Sequence, residues 1–284
     1  IKGGSNSYNV IIPSDYMVAR MGEEGLLMEL DYSKIPNAEN IDPRYLNPAY
    51  DTEQKYSLPY MWGTTGIIYN TTMVDKAPTS WMDLFTTDLK GQVLIFDNPR
   101  DCIGLALKAL GYSFNTTDKD QIAEATDLLI KQKEDGIVQA YVMDQIFDKM
   151  INNEAAMGTY YAGDYLTMVE ENPDLAFVQP EEGSNLFVDA MCIPTCSKNY
   201  EEALAFINFM CRDDIVLRNC DETGYSCPSA TALEEMDEEM ATDPVAYPGE
   251  DILNKAETFG GLPEETLTFY DHEWIRICLA KVKY

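Results

Sequence analysis

Histidine is almost absent from the chain, which has one, His272. A two-histidine zinc site cannot be assembled from it, and a serine or cysteine nucleophile would have a single imidazole to serve as its base. Basic side chains are scarce as well. Lys+Arg is 20 against Asp+Glu 49, a formal net charge of −29. This excludes nucleic acid as a natural partner, because such binding rests on lysine and arginine neutralising phosphates. An anionic membrane surface would repel the chain, whereas a field of this sign favours cations. Long apolar runs are missing: the stretches 92–96 and 203–210 fall far short of the roughly 18 residues that a membrane span requires. No signal-peptide pattern occurs in the sequence. There is no G-x-G-x-x-G fingerprint and no P-loop, the glycine-rich helix starts that hold phosphates.

Cysteine is present in a number that builds no framework. The 7 cysteines (102, 192, 196, 211, 220, 227 and 278) are an odd count in a chain of 284 residues. Neither Cys192-x3-Cys196 nor Cys220-x6-Cys227 has the C-x2-C spacing of a zinc site. They read as buried free thiols, which behave as small hydrophobes, and neither a metal nor a cofactor is expected.

Hydrophobic residues make up 45% of the chain, enough for a sizeable core, and the length suggests two domains or lobes. Short apolar strands alternate with longer helical patterns, as in an α/β fold with largely parallel sheets. Strands are expected at Tyr8–Ser14, Gly66–Asn70, Gln92–Asp97, near Ala156–Tyr161, at Leu175–Pro180 and at Phe187–Pro194. Helices are expected over about 15–24, from Ser80, after Asn98-Pro99, over 118–133, from Asp144, over 199–218 and 232–240, and from about 263 to the end. The helix from Asn199 carries a capping box with Glu202 and an apolar stripe of Ala203, Phe206, Ile207 and Met210.

Ligands of open α/β sheets bind outside the carboxyl ends of the strands, and acidic and aromatic side chains concentrate there. Ser14, Asp15 and Tyr16 end the first strand; Asp97, Asn98 and Asp101 follow the third; Tyr161 ends the strand near residue 160. Asp189 interrupts the apolar run Phe187-Val188-Asp189-Ala190-Met191, and Tyr225 follows Thr223-Gly224. Asp15 and Asp101 could instead be acids stabilised at helix N-termini by about 0.3–1 kcal/mol. Each ring could be an ordinary core aromatic. Asp189 needs a partner, since an isolated buried carboxylate costs several kcal/mol; a buried arginine such as Arg100 or a cationic ligand would serve. Taken together, these residues suit a ligand with an apolar stem and charged ends. A linear polyamine requires carboxylates at its ammonium groups and flat rings over its methylenes, each ring adding about 0.5–2 kcal/mol of cation–π attraction.

On these residues the chain resembles the spermidine/putrescine-binding proteins of ABC importers, a family with the type II periplasmic-binding-protein fold. The matching stretches include Tyr8–Tyr16, Tyr56–Gly66, Thr79–Leu84, Asp97–Asp101, Leu110–Ser113, Phe187–Asp189 with Ile193-Pro194, Ala205–Phe209 and Thr223–Tyr225. They follow one another in order through nearly the whole chain. The resemblance implies two α/β lobes joined by crossing strands and closing on the ligand like a hinge, the first lobe at 1–63 plus 188–233 and the second at 64–187 plus 234–284. It implies that Ser14 and Tyr16 contact the ligand, that Asp101 and Asp189 receive amines, and that Tyr225 is a wall. Tyr161 and Phe187 stand where the family has tryptophans, and Asn98 where it has a second acid, with Asp97 next door.

The family opens with a strand–helix–strand unit, whereas this chain opens at Ile1-Lys2-Gly3-Gly4, so the first lobe is expected to be incomplete. Unpaired sheet edges in such a lobe would favour pairing with a second copy, a homo-oligomer. The implied activity is non-enzymatic capture of a polyamine outside the cytoplasmic membrane and its delivery to membrane-embedded permease subunits. Any attachment to the membrane would then come through an anchor or permease outside this chain. Two alternatives stay open at this point: a binding protein for another organic cation or an oligosaccharide, and a glycoside hydrolase using Asp101 and Asp189. The hydrolase would require these carboxyls about 5–9.5 Å apart.

Overall fold

A computed structural model describes residues 7–282, so the opening Ile1-Lys2-Gly3-Gly4 lies outside the described residues. The chain forms two compact units. Unit 1 comprises Ile1–Gly63, Leu186–Tyr247 and Thr258–Gly261; unit 2 comprises Thr64–Asn185, Pro248–Glu257 and Leu262–Tyr284.

The chain enters unit 1 with helix α1 (Asp15–Glu23), the short strand β1 (Leu27–Met28) and three 3-10 turns, then runs into the long strand β2 (Ser57–Asn70). Asp51 fixes where that strand begins. Its buried carboxylate accepts hydrogen bonds from the backbone N–H groups of Lys55, Tyr56 and Ser57 and from the Ser57 hydroxyl. β2 passes from unit 1 into unit 2 at Gly63–Thr64. There follow α2 (Asp83–Thr86), β3 (Val93–Phe96), α3 (Pro99–Ala109), α4 (Lys119–Glu134), β4 (Val138–Val142), α5 (Gln145–Ile151), β5 (Met157–Tyr161), α6 (Ala162–Glu171) and β6 (Leu175–Val178). The chain returns to unit 1 with β7 (Leu186–Pro194), α7 (Tyr200–Met210), α8 (Asp213–Thr223), α9 (Ala230–Glu235) and α10 (Glu238–Ala241). It ends in unit 2 with α11 (Glu250–Leu253) and α12 (Glu264–Leu279).

Unit 2 is an α/β layer structure. β3 pairs in parallel with β4 and β5, while β2 pairs antiparallel with β5 and β6. Every residue of β3 is buried, as expected of a strand covered on both faces. The core joins Ile67, Ile68, Leu94 and Ile95 to Ile103 and Leu107 of α3, Leu129 of α4 and Ile277 of α12. α3 starts where its sequence says it must. Asn98 is the N-cap, its side chain accepts from the Asp101 N–H, and Pro99 occupies the first helical turn, where a missing N–H costs nothing. In unit 1, β7 pairs antiparallel with β1, and Met191 and Ile193 pack on Leu30, Ile35, Leu58 and Leu204.

Several expectations are corrected. Tyr8–Ser14 is no buried strand: it makes single bridges, Ile11 to Cys192 and Ser14 to Asp189, and Tyr8 and Ile12 are exposed. Pro13 has no N–H to continue a ladder, though its carbonyl accepts from Ala190. The segment from Ser80 turns before it becomes helical at Asp83, because the Asp83 carboxylate accepts from the N–H groups of Thr79 and Ser80. The helix expected over 199–218 breaks at Cys211–Arg212, since Asp213 at the start of α8 takes hydrogen bonds from Asn40, Ser229 and Thr231. The capping box does not form, because Asn199 instead donates to Asn9. Phe206 is 45% exposed, and the buried face of α7 is Ala203, Leu204 and Ile207. The lobe boundary expected at 234 lies at Tyr247. The Tyr247 hydroxyl accepts from the Cys227 N–H, and the Ala246 carbonyl accepts from the Ser226 hydroxyl, so this stretch stays with unit 1.

Candidate functional site

Each unit presents a candidate carboxylate that burial lifts above its ordinary range. In unit 1 it is Asp189. Val188 and Ala190, its neighbours on β7, are buried, and alternation turns the residue between them to the opposite face. There it pairs with Ser14, whose hydroxyl donates to Asp189 Oδ1 at 2.8 Å. Burial raises the Asp189 carboxyl above its ordinary range, with the Ser14 hydrogen bond pulling the other way. Among the described residues no ion pair reaches it. Arg100, the arginine considered for it, belongs to unit 2. There it donates to the Phe114 carbonyl and to Asn115 Oδ1 at 3.2 Å, and lies over the Tyr270 ring.

Rings stand beside Asp189. Phe187, two residues earlier on the same face, meets Tyr225 edge to face at 5.8 Å between centroids. The two rings close over Gly63: a Cβ there would lie 2.8 Å from Phe187 Cζ and 3.5 Å from Tyr225 Cδ1. Tyr225 is aimed by the reversal before it. Gly224 caps α8 with φ +71°, a conformation that glycine adopts without cost. Asp15 is fully buried. Its carboxylate accepts from the Tyr16 N–H at 2.6 Å and the Val188 N–H at 3.4 Å, fastening the start of α1 to β7 beside Asp189. Tyr16 is half-buried and meets Phe259 edge to face at 6.0 Å.

In unit 2 the carboxylate is Asp101, in the first turn of α3. Tyr161, at the end of β5, directs its hydroxyl to Asp101 Oδ2 at 3.4 Å. Desolvation pushes the Asp101 carboxyl up to about 6, against the opposing pull of Asn98, Arg100 and Tyr161. The Tyr161 ring packs on Phe96 and Tyr160 at 5.3 and 4.9 Å, and Tyr160 is itself held by donation to Asp144. Asp97 is exposed at the end of β3, where its N–H bonds to the Val142 carbonyl. Asn98 is occupied in capping α3.

Unit 1 thus groups Ser14, Asp15, Tyr16, Phe187, Asp189 and Tyr225, and unit 2 groups Asn98, Asp101 and Tyr161 with Asp97 at the rim. Two contributors had no signal in the sequence. Phe259 sits in an irregular segment 243 positions from Tyr16, and Phe96 reads as a core strand residue; Tyr160 stands in the run Tyr160–Tyr165 that ends its strand. Each arrangement can receive a cation: a desolvated carboxylate gains most from a partner that brings positive charge and N–H donors, and adjacent ring faces attract the same charge. Neither arrangement includes a described nucleophile–base pair. Among the described residues no group of three or more His, Cys, Asp or Glu side chains could hold a metal ion, and no helix is long and apolar enough to cross a membrane.

Comparison with known proteins points the same way. Residues 1–248 match the family model of bacterial extracellular solute-binding proteins. The spermidine/putrescine-binding periplasmic protein of Escherichia coli K12 is 34% identical over 252 residues, covering 88% of this chain and 72% of that protein. A solved spermidine/putrescine ABC transporter substrate-binding protein from Streptococcus pneumoniae is 39% identical. It superposes with a TM-score of 0.86 over 98% of this chain and 85% of its own. A structure from Listeria monocytogenes, also 39% identical, reaches a TM-score of 0.93 over 98% and 86% of the two chains.

Proposed function

The chain belongs to the bacterial extracellular solute-binding protein family, and from that premise we propose that it captures a linear polyamine, putrescine or spermidine, as the extracytoplasmic binding component of an ABC importer. The relatives named for spermidine and putrescine support the ligand class. The observation that carries the reading is the pair of desolvated carboxylates, Asp189 and Asp101, for which burial outweighs the opposing pull of Ser14 on the one and of Asn98, Arg100 and Tyr161 on the other. A carboxylate kept out of water with its charge incompletely compensated forgoes stability that a cationic ligand restores on binding.

Within unit 1 Asp189 is the group that receives an ammonium, and within unit 2 it is Asp101. Ser14 holds the Asp189 carboxylate in place, and Tyr161 does the same for Asp101. Phe187, Tyr225, Tyr16 and Tyr161 supply the faces against which methylenes pack. Asp15 acts as a positioning residue through its bonds to the backbone of Tyr16 and Val188, Asn98 through its cap on α3, and Asp97 adds negative potential at the rim. Capture requires no bond making, and the bound polyamine passes unchanged to a permease.

Thermal denaturation tests this directly. At a polyamine concentration about 100 times Kd, binding adds about 2.7 kcal/mol to stability, equivalent to a rise of roughly 5–10 °C for a chain of this size. Putrescine and spermidine are expected to produce that rise, and monovalent amines or neutral oligosaccharides are not. A shift with oligosaccharides alone would overturn the reading.

The aromatic wall of unit 1 gives a second test. Gly63→Ala places a methyl against Phe187 at 2.8 Å, so the ring must turn away. Overpacking of this kind costs about 1–2 kcal/mol of stability. Displacing the ring is expected to weaken polyamine binding roughly five- to tenfold, about 1–1.4 kcal/mol. Titration calorimetry on the folded variant would show it, and unchanged affinity would remove Phe187 from the ligand's surroundings.

A further inference from the structure

Five of the seven cysteines are buried, and two of those share one buried cluster in unit 1. Cys220 lies near the end of α8 and Cys227 in the loop that follows. The chain between them doubles back at Gly224, whose N–H bonds to the Cys220 carbonyl at 2.8 Å with φ +71°. Trp62 then pins the returning strand: its backbone exchanges hydrogen bonds with Ser226 at 3.0 and 3.1 Å, and its indole N–H donates to the Cys227 carbonyl at 2.9 Å. The reversal packs both thiols into one buried cluster with Val216, Ala232 and Met236, where Cys227 Sγ donates to the Ser229 carbonyl at 3.6 Å. Tyr247 completes the group, its hydroxyl donating to Cys227 Sγ at 3.6 Å.

We propose that Cys220 and Cys227 are a dithiol built to close reversibly into a disulfide, with a small-molecule or protein disulfide as oxidant. The chemistry balances as two exchanges. The Cys227 thiolate attacks one sulfur of the external disulfide and expels the other half as a thiolate. That thiolate takes up a proton from the Cys220 thiol. The Cys220 sulfur then attacks the mixed disulfide at Cys227 Sγ and expels the second thiolate, which is protonated by solvent. The two protein thiols are oxidised, and the external disulfide is reduced to two thiols.

The direction of attack follows from the surroundings. The Tyr247 hydroxyl donates to Cys227 Sγ and so favours its thiolate, whereas the full burial of Cys220 works against its ionisation. The nucleophile is the thiolate, so Cys227 attacks first. Both sulfurs are shielded from solvent, so the exchange proceeds when the loop 224–229 opens locally. Closure would lock the short loop that carries Tyr225, a consequence separate from the polyamine reading because the disulfide forms or fails regardless of any ligand.

The test is to equilibrate the folded protein with oxidised glutathione, quench in acid, unfold, alkylate the free thiols and map the peptides by mass spectrometry. The expected result is a linked peptide pair containing Cys220 and Cys227, a loss of 2 Da, and restoration of both thiols by dithiothreitol. Cys220→Ser is expected to leave Cys227 alkylatable or glutathionylated and without an intramolecular partner. The proposal is overturned if Cys220 and Cys227 are both alkylated after equilibration, or if either is linked to another cysteine instead.

Discussion

Asp189→Asn is expected to weaken putrescine and spermidine binding by a factor of about 100 or more while leaving the fold intact. Asparagine keeps the shape of the side chain and an oxygen to accept from the Ser14 hydroxyl, a bond of 2.8 Å in the native protein. The negative charge is what disappears. Removing one partner of a close, desolvated charge pair costs about 2–5 kcal/mol, and 3 kcal/mol corresponds to a factor of about 150. A gain should accompany the loss. Burial holds the Asp189 carboxyl above its ordinary range, so the unliganded protein is relieved of a charge it solvates poorly, and the apo variant should melt higher than the wild type at pH 7. Calorimetry and a thermal scan on the same sample separate the two effects. An affinity within twofold of wild type would exclude Asp189 from the site.

Asp101 provides the second large effect, read through pH. Its carboxyl is pushed up to about 6 in the folded protein, mainly by desolvation, from an ordinary 3.8. An ammonium ligand binds the ionised form. Polyamine affinity should therefore be level above about pH 7 and fall as the pH drops through 6, reaching a loss of roughly tenfold at pH 5, where about a tenth of the groups remain ionised. Asp101→Asn should bind about 100-fold more weakly at pH 7.5 and lose most of that slope, any remainder belonging to Asp189.

The stability of the unliganded protein has the opposite sign. Because the folded value lies above the unfolded one, the folded state holds its proton more tightly. The stabilising contribution is complete below about pH 4 and is lost as the pH rises through 6, a difference of up to roughly 3 kcal/mol. Asp101→Asn abolishes that loss. A wild-type affinity that is flat from pH 5 to 7 would show that Asp101 does not face the ligand.

Much of the architecture was readable from local chemistry. The apolar run at 92–96 closed by Asn98-Pro99 specifies both a buried strand and a capped helix start, because capping and the proline position act within a few residues. The same locality explains the agreement at β5, β6 and α4. The errors arise where partners distant in sequence override a local preference. Asn199 gives up its cap to Asn9, 190 positions away. The run from 199 to 218 has no glycine or proline, yet it breaks because Asp213 is claimed by Asn40, Ser229 and Thr231. Phe206 fits the period of a buried stripe but lies on the open side of α7.

The site divides in the same way. Residue types and their places after strands single out Asp101 and Asp189, but periodicity carries no information about dielectric surroundings or about Phe259 beside Tyr16.

By itself the sequence determined the sign of the charge, the alternation of strands and helices, and which acids stand at strand ends, since composition and short-range spacing suffice for these. Only the tertiary structure decided which of those acids lose their water and which keep it. Desolvation depends on what packs around a group from all sides, and the Ser14–Asp189 and Tyr161–Asp101 contacts join residues 175 and 60 positions apart.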